Sequence, residues 1–208
     1  MFFATDFNKV IMQKPDPDLE ERILEEIFES RKARPKSLTW KSFEKQGYGL
    51  EFFEWARDWI YRPEYRKYLE PVDGAIEALR QICVANDITI VTTRTGVSCD
   101  LAQQWLFECS GLRLPFVGVG TDSRGVKMSK APTLLSIKAD VYLDNSREKL
   151  VQILRERKEF VKFPKLLHFR PPVIIGDNWS PPHTVPVQSW QHVLHVVNAI
   201  VAEQAERT

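Results

Sequence analysis

The sequence lacks any excess of charge of one sign: 29 lysine and arginine residues stand against 28 aspartate and glutamate residues in 208 positions. The basic surface by which a dedicated nucleic-acid binder attracts phosphate backbones is therefore not expected. Cysteine is scarce, and Cys83, Cys99 and Cys109 are odd in number, at spacings that match no zinc or redox motif. That pattern predicts reduced thiols in the core and excludes a disulfide framework. No apolar run reaches the length of a bilayer span, and Met1-Phe2-Phe3-Ala4-Thr5-Asp6 has neither the basic start nor the long apolar stretch of a secretory signal. A cytoplasmic protein is the expectation. Low-complexity tracts are also missing, since the prolines fall between periodic segments. The length suits one domain with room for an inserted sub-domain.

What is present is an alternation of short apolar runs and amphipathic segments. Phe2 to Thr5 is apolar and meets a turn-prone Asp6-Phe7-Asn8, which predicts a buried first strand ending in polar groups. After Lys14-Pro15-Asp16-Pro17, Asp18 and Glu21 offer a capping pair for a helix whose apolar face is Leu19, Ile23, Leu24, Ile27 and Phe28. Further helical segments run to about residue 70 and carry Trp40, Phe43, Phe52, Phe53, Trp55 and Trp59 among other aromatics. They predict a small helical module with its own core. Pro71-Val72-Asp73-Gly74 opens a helix to about Asn86. Strands follow at Ile88 to Val91, Pro115 to Val119, Val141 to Leu143 and residues 165–169, separated by helices at 99–109, 131–138 and 147–157, with a last helix from about 189. Such βα alternation predicts an α/β fold, a parallel sheet covered on both faces, with ligands beyond the carboxyl ends of the strands. Asp6, Thr92 and Asp144 fall at such ends.

Four segments in this order carry a family resemblance: Phe2-Phe3-Ala4-Thr5-Asp6-Phe7-Asn8, Ile88-Thr89-Ile90-Val91-Thr92-Thr93-Arg94, a lysine near Lys130-Ala131-Pro132, and Val141-Tyr142-Leu143-Asp144-Asn145. The chain resembles the haloacid dehalogenase-like hydrolases. The resemblance implies a Rossmannoid core over residues 1–10 and 71–208, strand order 5-4-1-2-3, and an all-helical cap over residues 11–70. It also implies a phosphohydrolase or phosphotransferase of small phosphomonoesters, nucleotides among them, acting through an aspartyl-phosphate. In that reading Asp6 is the nucleophile. Mg²⁺ is held by Asp6, the Asn8 main-chain carbonyl and Asp144. Thr92 donates to the phosphoryl group, Lys130 neutralises the like charges brought together, and Thr93 and Arg94 contact substrate.

Two positions depart from the family pattern. Asn8 stands where phosphatases of this family carry a second aspartate as general acid and base, and Asn145 stands where another carboxylate is common. An amide cannot exchange a proton, which costs about 10²- to 10⁴-fold when an alkyl alcohol must leave. A catalytically impaired member that binds a phosphorylated ligand or a protein partner is the competing expectation. Some site positions have close rivals along the chain: Lys127 competes with Lys130, Thr93 with Thr92, and Asp177 in Val173-Ile174-Ile175-Gly176-Asp177-Asn178 with Asp144. Arg31, Lys32, Arg34, Lys36, Arg62, Arg66 and Lys67 read as solvated helix surface sooner than substrate contacts, and His192 with His195 as an ordinary helix face.

Overall fold

The five apolar runs read as strands lie in one parallel sheet. In a computed structural model that describes residues 1–13, 16–29, 34–122, 126–170 and 180–206, the strands are β1 (Phe2–Thr5), β2 (Asp87–Thr92), β3 (Phe116–Gly118), β4 (Val141–Asp144), β5 (Lys165–Phe169) and β6 (Thr184–Val187). Their order is β3-β2-β1-β4-β5-β6, and every neighbouring pair is parallel. The five strands expected from the sequence hold the expected order. The correction is the sixth, which extends the β5 edge. Its short Thr184-Val185-Pro186-Val187 run contains a proline, tolerated in a sheet chiefly at an edge, and so gives a weak sequence signal.

Both faces of the sheet are buried, as the near-continuous apolar runs require. Successive side chains alternate between faces. Phe3, Ile88, Ile90 and Leu143 enter one core with Leu79 and Ile82 of α5 (Ala75–Cys83), Trp105 of α6 (Gly96–Ser110) and Val193 of α9 (Trp190–Ala205). Ala4, Val91, Tyr142 and Leu166 enter the other with Leu134 of α7 (Ala131–Ser136) and Leu150 and Ile153 of α8 (Arg147–Arg155).

Between β1 and α5 lie α1 (Pro17–Phe28), α2 (Trp40–Glu44), α3 (Leu50–Asp58), a 3-10 turn at Trp59–Tyr61, and α4 (Pro63–Arg66). Leu24, Phe28, Phe43, Phe53 and Ala56 form a small core of their own, in which Phe43 packs edge-on against Phe28 and Phe53 at 5.8 and 5.3 Å between ring centroids. Leu19, Ile23, Ile60 and Tyr61 instead join the main core. The module is therefore welded to the sheet domain by one face of α1 and by the 3-10 turn.

Gly118 shows how closely β3 approaches the strand end beside it. A Cβ there would meet the Arg94 carbonyl oxygen at 2.1 Å, so only glycine fits. Trp190 ties the last helix to the loop after β1. It is fully buried, and its indole Nε1 donates to the Val10 carbonyl at 2.7 Å. Trp190→Phe should keep most of the packing but orphan that carbonyl, costing about 1–3 kcal/mol; a fall in urea midpoint without a change in slope is the measurement.

The expectation of core cysteines holds in part: Cys83 is half-buried against the main core, Cys99 is half-buried and Cys109 is exposed. Arg34 pairs with Glu21 and Glu25, Arg62 with Glu26, and Arg66 with Glu108 on the surface. His192 and His195 are exposed on α9. Arg31, Lys32 and the Val173 to Asn178 segment with Asp177 lie outside the described residues. Among the described residues no helix is long and apolar enough to cross a membrane.

Candidate active site

Parallel pairing of β1 with β2 and β4 brings three carboxyl ends to one edge of the sheet. Asp6 follows β1 and its amide donates to the Leu143 carbonyl at 2.8 Å, so the β1–β4 ladder continues through the candidate nucleophile. The chain then turns sharply. Phe7 is buried against Trp105 and Phe116, Lys9 adopts a left-handed φ of 60°, and the Lys9 amide donates to the Met12 carbonyl at 2.7 Å. A non-glycine residue in that region stores backbone strain, which persists where the surroundings enforce it. Asp144 ends β4, and Lys130 immediately precedes α7.

These residues meet in a buried cluster of two carboxylates and two ammonium groups. Lys130 Nζ lies 2.7 Å from Asp6 Oδ1, 3.0 Å from Asp144 Oδ2 and 2.7 Å from the Tyr142 hydroxyl. Lys149 Nζ lies 3.2 Å from Asp6 Oδ2 and 3.9 Å from Asp144 Oδ2. The Tyr142 hydroxyl donates to Asp144 Oδ2, and the Ser146 amide donates to Asp144 Oδ1 at 2.7 Å. Burial alone would raise the Asp6 carboxyl, but Lys130 and Lys149 outweigh it and lower its pKa from 3.8 to about 2. Asp6 is thus ionised at neutral pH. Burial, reinforced by the Asp144 and Asp6 charges, pushes the Tyr142 phenol well above its ordinary value, so it stays a donor. Burial works against the Lys149 ammonium, yet the two carboxylates prevail and raise its pKa.

Around this cluster the other expected residues separate into two groups. Thr92 is fully enclosed, and its Oγ1 accepts from the Arg94 amide at 3.3 Å. Thr93, one residue past the strand, faces a cavity that Thr92 does not line. Arg94 is also buried: it donates to Asn8 Oδ1 at 3.0 Å and Ser98 Oγ at 3.1 Å and lies 3.8 Å from Asp58. Its grip on Asn8 makes it a positioning residue for the turn after β1. Of the two rival lysines it is Lys130 that contacts Asp6, whereas Lys127 lines the cavities, its pKa lowered by burial and then by Lys149.

Two cavities share Asn8, Lys9, Thr93 and Lys127. The first, about 640 Å³, opens over Asp6 and is bordered by Arg147 and Lys149. The second, about 350 Å³, runs under the helical module between Trp40, Phe53 and Arg57 on one side and Arg94 on the other. An anion drawn to Asp6 by the cationic rim would find room for an organic group beneath α2 and α3.

Tyr142 and Lys149 are site residues that sequence reading missed, although for Lys149 a signal exists. It sits in the first turn of α8, where the positive end of the helix disfavours cations. A lysine there calls for an anionic partner, and the backward tilt of helical side chains aims it at the strand end that precedes it.

No protein-family model matches the chain, and no curated protein matches it by sequence. Solved structures do. A haloacid dehalogenase-like family hydrolase from Xanthomonas campestris matches with a TM-score of 0.55 at 16% identity, over 100% of this chain and 98% of that one. A provisionally assigned beta-phosphoglucomutase from Thermotoga maritima gives 0.57 at 12% identity, over 96% and 99%. A provisionally assigned hydrolase of the same group from Bacillus subtilis, bound to magnesium, gives 0.52 at 14% identity, over 95% and 98%. The chain has the haloacid dehalogenase-like fold.

That fold raises the question of a divalent ion. The expected oxygens of Asp6 and Asp144 are brought together, but each of the four accepts from, or pairs with, an N–H or O–H donor of this chain. Among the described residues no group of three or more His, Cys, Asp or Glu side chains is placed to hold a metal. A hard octahedral ion needs free oxygens and few competing cations. As arranged, these residues do not fit one.

Proposed function

We propose that this chain binds a small phosphomonoester over Asp6 and accepts its phosphoryl group on that carboxylate, as a phosphohydrolase or phosphotransferase. The observation that carries the reading is the state of Asp6: a buried, ionised carboxylate whose oxygens are held by Lys130 and Lys149 at the floor of a cation-rimmed cavity. Fixed ammonium groups offset the repulsion between a carboxylate and an incoming phosphate, and a site already organised needs little reorganisation at the moment of transfer. Thr93, lining the cavity, suits a hydrogen bond to a phosphoryl oxygen. Helices α1 to α4 act as the cap, with the ester's organic group in the smaller cavity.

Asn8 sets the limit on this chemistry. With an amide in place of a proton-exchanging group, the leaving oxygen departs as an anion, so aryl and acyl phosphates react while alkyl phosphates barely do. Water attack on the phospho-aspartate is equally unassisted, so the covalent species accumulates.

Rapid-quench kinetics with p-nitrophenyl phosphate test the proposal. The expected result is a burst of about one product per chain, followed by slow turnover, with glycerol phosphate inert and Asp6→Asn showing no burst. Equal rates on the aryl and alkyl esters would sink it. A second reading, a phosphate-binding member without turnover, is favoured by the Arg94–Asn8 hydrogen bond, which commits Asn8 to a structural role. It requires that no phospho-enzyme form and that Asp6→Asn still bind phosphate.

A further inference from the structure

We infer that Lys149 stands in for a divalent cation, so that the site takes up a phosphoryl group without a metal. The inference deepens the proposed function and rests on its placing the phosphate over Asp6. The position of the ammonium carries the argument. Lys149 Nζ is 3.2 Å from Asp6 Oδ2, the oxygen that Lys130 leaves uncovered, and 3.9 Å from Asp144 Oδ2, so it bridges the two carboxylates on the cavity side. Lys130 bridges the same pair from the buried side. Two carboxylates and two ammonium groups leave the cluster formally neutral, whereas a cluster with one lysine would keep a negative charge to attract a cation.

The surroundings make the substitution structural. The Lys149 side chain is 15% exposed, and its backbone amide is held by the Ser146 hydroxyl at the start of α8. The same helix start delivers the Ser146 amide to Asp144 Oδ1, which removes a further oxygen from any metal. A lysine ammonium also lines the cavity directly, so it can donate to a phosphoryl oxygen while it balances Asp6, two tasks for which a bound cation would otherwise be required. A divalent ion would have to expel Lys149 against the repulsion of Lys130 and Lys127.

Isothermal titrations of the full chain with Mg²⁺ and with inorganic phosphate decide the matter. The wild type should give no heat with millimolar Mg²⁺ and should bind phosphate equally in EDTA and in Mg²⁺. Lys149→Met should gain Mg²⁺ affinity by roughly tenfold or more, as expected from removing a charge some 4 Å away, and should then need the ion to hold phosphate. Lys149→Arg, which keeps the charge, should remain indifferent to Mg²⁺. The inference falls if the wild type binds Mg²⁺ as tightly as Lys149→Met, if its phosphate binding needs the ion, or if it binds no phosphate under either condition. Should Lys149→Met not fold, the two wild-type titrations decide alone. A burst seen only with Mg²⁺ overturns the role of Lys149 and leaves the phosphoryl-transfer reading intact. Metal-free phosphate binding without a burst does the reverse.

Discussion

Lys130→Met should lose about 3–5 kcal/mol of folding stability, because it removes one partner of a buried ionic cluster and leaves the others in place. Lys130 is 2% exposed and serves Asp6, Asp144 and the Tyr142 hydroxyl at once. Methionine fills much of the volume but supplies no charge. Lys149 would then face both carboxylates alone from the cavity side; Asp6 Oδ1 would lose its ammonium partner, while Asp144 Oδ2 would keep the Tyr142 hydroxyl. Chemical denaturation measures the loss, and its pH dependence identifies the cause. In the wild type the Asp6 carboxyl is lowered from 3.8 to about 2, so its contribution is complete above the unfolded pKa and disappears as pH falls through that interval. In Lys130→Met the penalty should shrink on acidification, since a protonated carboxyl needs no cation. A penalty that stays constant down to pH values near 2 would point to packing and not to charge.

The second large effect concerns Asn8. Asn8→Asp restores a group able to exchange a proton, and acid–base assistance of this kind is worth about 10²- to 10⁴-fold. The neighbouring guanidinium divides that gain unequally. Arg94, 3.0 Å from Asn8 Oδ1, would hold a new aspartate in its ionised form, which suits a base toward water and hinders an acid toward the leaving alcohol. Asn8→Asp should therefore accelerate breakdown of the phospho-enzyme and abolish the burst, with a smaller gain on glycerol phosphate. Asn8→Asp combined with Arg94→Gln should add the alkyl activity. Steady-state and burst kinetics on the aryl and alkyl esters separate the two steps; equal gains on both substrates from the single variant would refute the role given to Arg94.

Both experiments turn on contacts between residues far apart in sequence, and this marks the division between what was legible in the sequence and what was not. Strand and helix periods depend on nearest neighbours along the chain, so β1, β2, β4 and β5 and the helices between them could be read from apolar runs and caps alone. Asp6 and Asp144 could be picked out because a polar residue ending a buried run is a local signal. β6 escaped because Pro186 obscures it.

By itself, then, the sequence determined the α/β class, the helical segment after β1 and the absence of a proton-exchanging side chain at position 8, which follow from local periodicity and residue identity, while the order of five strands came from the family resemblance that its motifs carry. Only the tertiary structure decided that Lys130 and not Lys127 touches Asp6, that Thr93 and not Thr92 faces the cavity, that Arg94 grips Asn8, and that Lys149 bridges the two carboxylates from the cavity side. Those outcomes depend on where long side chains end once distant segments converge. A lysine's reach of several ångströms is invisible in its spacing along the chain, yet here it sets the charge of the whole site.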